Sequence, residues 1–309
     1  MTPSIFVAIP SYRDWELPKT FCDAKIRASG TTRINFGVHN CQKVEDKIDM
    51  TCCSDRLTGI KIYDSIAPEH IGLQMSRYIA NSFYADEDYY LQIDAHMRFV
   101  PNWDERLIAM YKSRQLQGVS KPLITMYPPE YWYDEEGVEV RREHQKFHPT
   151  RISFTEKPQQ FTDSFIPSQT AVHMDEDCVY TSSVSGGFIF TDGSFAQITP
   201  NKKIAFWGEE ILIAARAFTH GFDLVTATED IVYHLYASGQ SFEKIRRHHV
   251  WNDFPAVWHT LDFNSKAEVE RIFSQNVIGD GALGSMRSLA EYGEFAGLDF
   301  AGRKVTQLW

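Results

Sequence analysis

Apolar and polar positions along this 309-residue chain switch between two periods, and the switches mark the predicted elements. Short runs rich in β-branched and aromatic residues, SIFVAIP at Ser4 to Pro10, RINFGV at Arg33 to Val38 and YYLQI at Tyr89 to Ile93, read as buried strands. Between them lie helical patterns, from Trp15 to Ala28 and in IGLQMSRYIANSFYA, where Met75, Ile79 and Phe83 recur at four-residue steps to form one apolar stripe. A further helix is predicted from about Asn102 to Gln115, then a strand in KPLITMY that stops at Pro128 to Glu130. Strands alternating with helices imply crossover units, hence an α/β fold with a mostly parallel sheet.

The rhythm breaks from Glu130 to Asp177, which is aromatic, charged and poorly periodic apart from β-like runs such as RISFT. A stretch this long without clear elements reads as a functional insertion. Regularity returns with YTSSVSGGFIFTDGSFAQI, the helix GEEILIAARAFTHG closed by Gly221, and the strands FDLVTAT and IVYHLY. The last seventy or so residues read as helical, with capping boxes proposed at Ser265 with Glu268 and at Ser288 with Glu291. The predicted organisation is an α/β unit over 1–240, carrying an insertion at about 130–177, and a helical C-terminal extension over 241–309 packed on it.

Composition changes this picture little: 43% hydrophobic and 23% charged residues describe an ordinary folded globule with room for a large core. Charge narrows the partners. A net charge of -10 disfavours a polyanion unless basic residues gather, and the basic runs at Arg141 and Arg142, Lys202 and Lys203, and Lys244 to His249 read as solvated faces. Nucleic acid therefore stays a possible but not a favoured partner. Five cysteines without a C-x-x-C pair suit reduced thiols, and no run approaches the roughly 18 apolar residues of a membrane span, so a cytoplasmic protein without a membrane partner is expected.

The strand YYLQI runs straight into Asp94, Ala95 and His96. Residues two apart in extended chain face the same way, about 6.6 Å apart, and ligands of open α/β sheets bind beyond the carboxyl ends of the strands. One aspartate oxygen and one imidazole nitrogen suit a borderline divalent metal, though His96 could equally satisfy a loop carbonyl while Asp94 caps a turn. His234 at the end of a second strand offers a third ligand, with Glu229 and Asp230 as competitors and a core histidine as the plain alternative. Gly186 and Gly187 before a buried strand permit close approach of a ligand, or simply a tight turn. Glu209 and Glu210 open a helix, where acids favour its dipole even without a function.

Taken together, IPSYRD at Ile9 to Asp14, the long segment from Ile71 to Ile108 and MRSLAEYGEFAGLDF at Met286 to Phe300 resemble the GT-A class of nucleotide-sugar glycosyltransferases. The nearest resemblance is to the UDP-GlcNAc-dependent transferases of glycosyltransferase family 60, which modify hydroxyproline on a ubiquitin-ligase adaptor. A more distant one is to the polypeptide GalNAc transferases, whose G-L-x-x-x-R helix, Asp-Ser-His motif, GGxF strand and W-G-G-E-N helix start are matched by Gly72, Leu73 and Arg77, by Asp94 and His96, by Gly186 to Phe188, and by Trp207 to Glu210. This chain is one residue shorter in the last motif and has Glu210 where asparagine would stand, so the choice between Glu209 and Glu210 as the acid that meets the sugar stays open.

The resemblance implies that Asp94, His96 and His234 hold manganese or another divalent cation, which bridges the UDP phosphates. It places Pro10, Ser11, Tyr12 and Arg13 against the uridine and phosphates, unless Arg13 is spent on an ion pair with Asp14 or Glu16. Arg77 would orient the diphosphate or Asp94, and Trp207 with Glu209 or Glu210 would meet the transferred sugar or the acceptor. The implied activity is a retaining transfer of a sugar, GlcNAc foremost, from a UDP-sugar to a hydroxyl, on a protein in the leading reading. The other acceptors weighed are a glycan and a hydroxymethylated base in phage DNA. Two rivals come from other classes: a non-catalytic nucleotide-sugar-binding module and a metal-dependent hydrolase.

Overall fold

A computed structural model of the protein describes residues 2–46, 48, 59–142, 150–155, 165–174, 179–236 and 247–307. The strands in chain order are β1 (Ser4–Tyr12), β2 (Arg33–Gln42), β3 (Ile60–Ile66), β4 (Tyr89–Ile93), β5 (Met97–Phe99), β6 (Pro122–Thr125), β7 (Tyr131–Tyr133), β8 (Glu139–Arg141), β9 (Thr150–Thr155), β10 (Ser168–His173), β11 (Phe188–Asp192), β12 (Asp223–Thr226), β13 (Val232–His234), β14 (Leu298–Asp299) and β15 (Lys304–Val305). Seven of them form one sheet in the order β12-β6-β11-β4-β1-β2-β3. All its pairings are parallel except those of β11, which runs antiparallel to both β4 and β6. This is the mixed, mostly parallel GT-A sheet flanked by helices.

Why β1 sits at the centre follows from its sequence. Ser4 to Ser11 are all buried, and the side chains alternate between two cores: Phe6 and Ala8 on one face, Ile5, Val7 and Ile9 on the other. Helices α1 (Leu17–Arg27) and α3 (Trp103–Leu116) cover the second face through Leu17, Phe21, Trp103 and Leu107, and the indole N–H of Trp103 donates to the Ala24 carbonyl at 2.9 Å. On the first face lie α2 (Leu73–Asn81) and α4 (Glu209–Thr219), joined by the C-terminal helices α6 (Pro255–Gln275) and α7 (Leu289–Ala296); the short α5 (Val250–Asp253), which buries none of its residues, precedes α6. Val269, Ile272 and Tyr292 share that core with Ile211 to Ala215.

Gly37 of β2 is where α2 crosses the sheet. A Cβ there would lie 2.4 Å from the Ala80 carbonyl and from the Phe6 ring, so only glycine admits this approach. The first free N–H groups of α2 are taken by backbone rather than by a side-chain cap: Leu73 N donates to Ala205 O at 2.7 Å and Gln74 N to Ile204 O at 3.2 Å. The segment before α4 is thereby fastened to the start of α2.

Several expectations shift. The stripe predicted over residues 71–85 yields a helix of nine residues, because Ser82 onward turns and Tyr84 donates its hydroxyl hydrogen to Glu87 O. Strand β3 was not foreseen; it is the sheet edge, with most of its residues at least partly exposed, and lacks the apolar run that marks a buried strand. Ser265 and Glu268 do not cap a helix but lie inside α6, where Ser265 accepts from Ala205 N and Glu268 binds Arg271 and Asn201. Cys22 is disulfide-bonded and Cys41 is a buried free thiol, so the cysteines give no support to a reducing compartment. Among the described residues no helix is long and apolar enough to cross a membrane.

The capping box at Ser288 is present: Glu291 N donates to Ser288 Oγ at 3.1 Å and Ser288 N to Glu291 Oε2 at 2.6 Å. Replacing Ser288 by alanine is expected to lower stability by about 1 kcal/mol in urea unfolding. An unchanged midpoint would show that α7 is held by packing alone.

Candidate active site

Strand β4 ends at Ile93, and the chain passes through Asp94 to His96 into β5. β5 pairs antiparallel with β13, setting His234 opposite Met97. That pairing brings together residues 138 apart: His96 Nε2 and His234 Nε2 stand 2.9 Å from each other, and Asp94 Oδ2 lies 3.3 Å from His234 Nε2. Ligand atoms of Asp94, His96 and His234 all fall within 4.8 Å of one another. Of the competitors, Glu229 is bound instead by Arg106 of α3.

His96 Nδ1 meets Asp14 Oδ2 at 2.7 Å, and Glu16 N donates to the other oxygen of Asp14 at 2.9 Å. With its Nδ1 proton held by Asp14, His96 turns an Nε2 lone pair toward His234. Two imidazole nitrogens converging on one carboxylate oxygen, with a carboxylate behind one of the rings, fit a borderline divalent cation. Burial opposes ionisation of Asp94, yet the His234 hydrogen bond, the neighbouring imidazoles and the Arg77 guanidinium hold its carboxyl well below the usual range. Burial and the neighbouring His96 bring His234 down to about 4, so its ring is neutral at pH 7.

Two cavities meet at Asp94. The smaller, about 170 Å³, is floored by Pro10, Ser11 and Tyr12 at the end of β1 and walled by Arg247, Trp251 and Trp258. The larger, about 710 Å³, is lined by Arg77, Gly186, Gly187, Trp207, Glu209 and Glu210, together with Tyr127 and residues of the insertion. Asp94 lines both. Trp207 stands at the larger cavity 54% exposed, edge-on to Phe206, with ring centroids 5.5 Å apart.

The two glycines make room for the site's own side chains. A Cβ on Gly187 would lie 2.8 Å from Asp94 Oδ2, and one on Gly186 3.3 Å from Glu209 Oε2. Arg77, 2% exposed, is the hub: its Nε pairs with Glu209, its Nη2 donates to Gly186 O at 2.8 Å, and Asp94 Oδ1 is 3.7 Å away. Gln74 also donates to Glu209, at 3.0 Å. Glu210 points elsewhere, accepting from Gly186 N at 2.9 Å and from Gln169 Nε2 at 2.6 Å.

Of the residues singled out in the sequence for the donor site, Arg13 and His234 line neither cavity; His234 meets Asp94 and His96 behind the wall, whereas Arg13 is drawn off altogether. It turns away at a φ of 49° and pairs with Asp46 at 2.6 Å and Asp253 at 2.8 Å, rather than with Asp14 or Glu16. Tyr12 donates to the same Asp253 at 2.8 Å. Sequence reasoning passed over Asp14, Tyr127, Gln169 and the wall formed by Arg247 to Trp258. The basic run was a signal: Arg247, His248 and His249 line the smaller cavity instead of forming a solvated face.

The seven-stranded, mostly parallel sheet with an Asp-x-His turn after its central strand β4 is the GT-A fold. The model of the family Glycosyltransferase (GlcNAc) matches residues 60–302, and the chain belongs to that family. No curated protein matches. Among solved structures the chain is similar to GalNAc-T7 with UDP, GalNAc and Mn2+, at 16% identity and a TM-score of 0.52, covering 98% of this chain and 56% of that one. S. aureus TarS 1-349 also matches, at 10% identity and a TM-score of 0.43, covering 88% of this chain and 69% of that one.

Two expectations follow from the buried charges. Arg77→Met leaves Glu209 without its cation and should destabilise the protein by roughly 3–5 kcal/mol in denaturant titrations, part of which Glu209→Gln restores. A neutral Arg77→Met would show that the pair holds nothing together. Burial raises Glu210 from 4.5 to about 8, despite the Gly186 N–H, with Glu209 and Asp94 adding to the rise. Its stabilising share is thus complete below pH 4.5 and lost as pH climbs through about 8. Glu210→Gln should flatten that decline in melting temperature, and an unaltered slope would assign it to another group.

Proposed function

We propose that this protein is a retaining, metal-dependent transferase that moves a sugar, GlcNAc foremost, from a UDP-sugar to a hydroxyl acceptor, on a protein in the reading drawn from the sequence. The observation that carries it is the convergence of Asp94, His96 and His234 where a cavity of about 170 Å³ opens to one of about 710 Å³. The smaller volume suits the nucleoside and the larger suits donor sugar plus acceptor. The printed partners of the similar structures, UDP with GalNAc and Mn2+ for GalNAc-T7 and UDP-GlcNAc for TarS, agree with that class of donor.

In this reading Asp94, His96 and His234 hold the cation, which when bound acts as a Lewis acid on the diphosphate and offsets the charge of departing UDP. Pro10, Ser11 and Tyr12 seat the uridine. Arg77, through Glu209, Gly186 O and its charge near Asp94, fixes the carboxylate that faces the diphosphate. Trp207 offers an aromatic face to the sugar or the acceptor.

Neither glutamate is disposed as a nucleophile. Glu209 is engaged by Arg77 and Gln74, and Glu210 by Gly186 N and Gln169. The acceptor hydroxyl is therefore the group that forms the new bond to the anomeric carbon, on the face from which phosphate leaves, and the departing phosphate oxygen takes its proton. The product is α-linked.

A thermal-shift series with UDP-GlcNAc, UDP-GalNAc and UDP-Glc, with and without Mn2+, tests the donor reading. We expect stabilisation that needs both uridine and metal, and metal-dependent turnover that disappears in folded His96→Ala with the product's anomeric proton reporting an α linkage. Binding indifferent to uridine and metal would remove the reading, and a β-linked product would remove same-face displacement.

A further inference from the structure

In the larger cavity two further side chains, Tyr127 and Gln169, join Glu210 in one hydrogen-bonded group. Gln169 of β10 is locked at both ends of its amide: Ser183 donates to its Oε1 at 2.6 Å, while its Nε2 lies 3.0 Å from Val184 O, 2.6 Å from Glu210 Oε2 and 2.7 Å from the Tyr127 hydroxyl. An amide nitrogen carries two hydrogens, and it has three oxygens around it. The Val184 carbonyl can only accept, and Nε2 cannot accept from Tyr127. The Tyr127 hydroxyl hydrogen is thus not consumed by Gln169, and among the described residues no acceptor takes it. Glu210 Oε2, after accepting from Gln169, retains a further lone pair. Ile166 and Ile211 line the same cavity.

An acetamido group presents one hydrogen-bond acceptor, one donor and a methyl. This corner presents a hydroxyl donor in Tyr127, an oxygen acceptor in Glu210 and an apolar surface in Ile166 and Ile211, with Gln169 fixing the distance between the first two. A hydroxyl in the same place would leave part of that set unused, and a site built for a polar group discriminates against a ligand lacking it. We infer that Tyr127, Gln169 and Glu210 form an acetamido-recognition corner that selects 2-acetamido donor sugars over their 2-hydroxy counterparts. This rests on the UDP-sugar reading above and adds to it the residues that set donor specificity, Gln169 coming from the insertion.

The test is the affinity of the wild type, Tyr127→Phe and Gln169→Ala for UDP-GlcNAc, UDP-Glc and UDP, measured by calorimetry with Mn2+ present. Wild type should prefer UDP-GlcNAc to UDP-Glc, and Tyr127→Phe, which removes a single hydroxyl, should narrow that preference by about tenfold with UDP affinity unchanged. Gln169→Ala should narrow it likewise. A general loss of fold would lower UDP affinity along with the rest, which separates it from lost selectivity. Equal wild-type affinity for the two sugars, or an undiminished preference in Tyr127→Phe, overturns the corner while UDP binding keeps the donor reading. Failure of wild type to bind UDP at all overturns both.

Discussion

Arg77 carries a full charge with almost no access to water, and the site is arranged around the need to compensate it. Its own helix lies on the sheet, Glu209 reaches it from the start of another, and the carbonyl of Gly186 and the carboxylate of Asp94 lie on its Nη2 side, while its buried Nη1 has no hydrogen-bond partner among the described residues. A cation buried this way is costly unless every neighbour keeps its place, so the glycine turn, the start of α4 and the end of β4 are held relative to one another. The glycines then have a physical reason: any side chain at Gly187 would displace Asp94.

The same burial divides the acids by their surroundings. Asp94 stays ionised because two imidazoles and a guanidinium outweigh its desolvation, whereas Glu210, beside Glu209 and Asp94, is raised to about 8. An anionic Asp94 suits the holding of a cation. A Glu210 that retains its proton near neutral pH lowers the negative charge around the larger cavity and leaves hydrogen bonding as its mode of contact. Similar carboxyls in one pocket thereby acquire different chemistry.

What was legible in the sequence was whatever local pattern controls. The continuous apolar runs of β1 and β4, the helix start at Glu209 and the capping box at Ser288 lie where periodicity and capping rules put them. Asp94 and His96 stood out because a polar pair ended a buried strand. Ser265 misled, since its spacing to Glu268 imitates a cap while the residues around it continue one long helix. Tyr127 and Gln169 gave no signal, because they meet Glu210 only through hydrogen bonds between distant segments, which no local pattern describes.

By itself the sequence determined the alternation of strands and helices, hence the α/β class, and the presence of a carboxylate and an imidazole beyond a central strand. The tertiary structure alone decided which third side chain joins them: pairing of β13 with β5 presents His234, while Glu229 is drawn to Arg106. It also decided that Arg13 serves Asp253, 240 residues further along, instead of the cavity. Backbone propensity and hydrophobic period act over a few residues and can be read in order along the chain. The direction of a charged side chain depends on which distant partner can compensate it, and that is settled only when the sheet has closed.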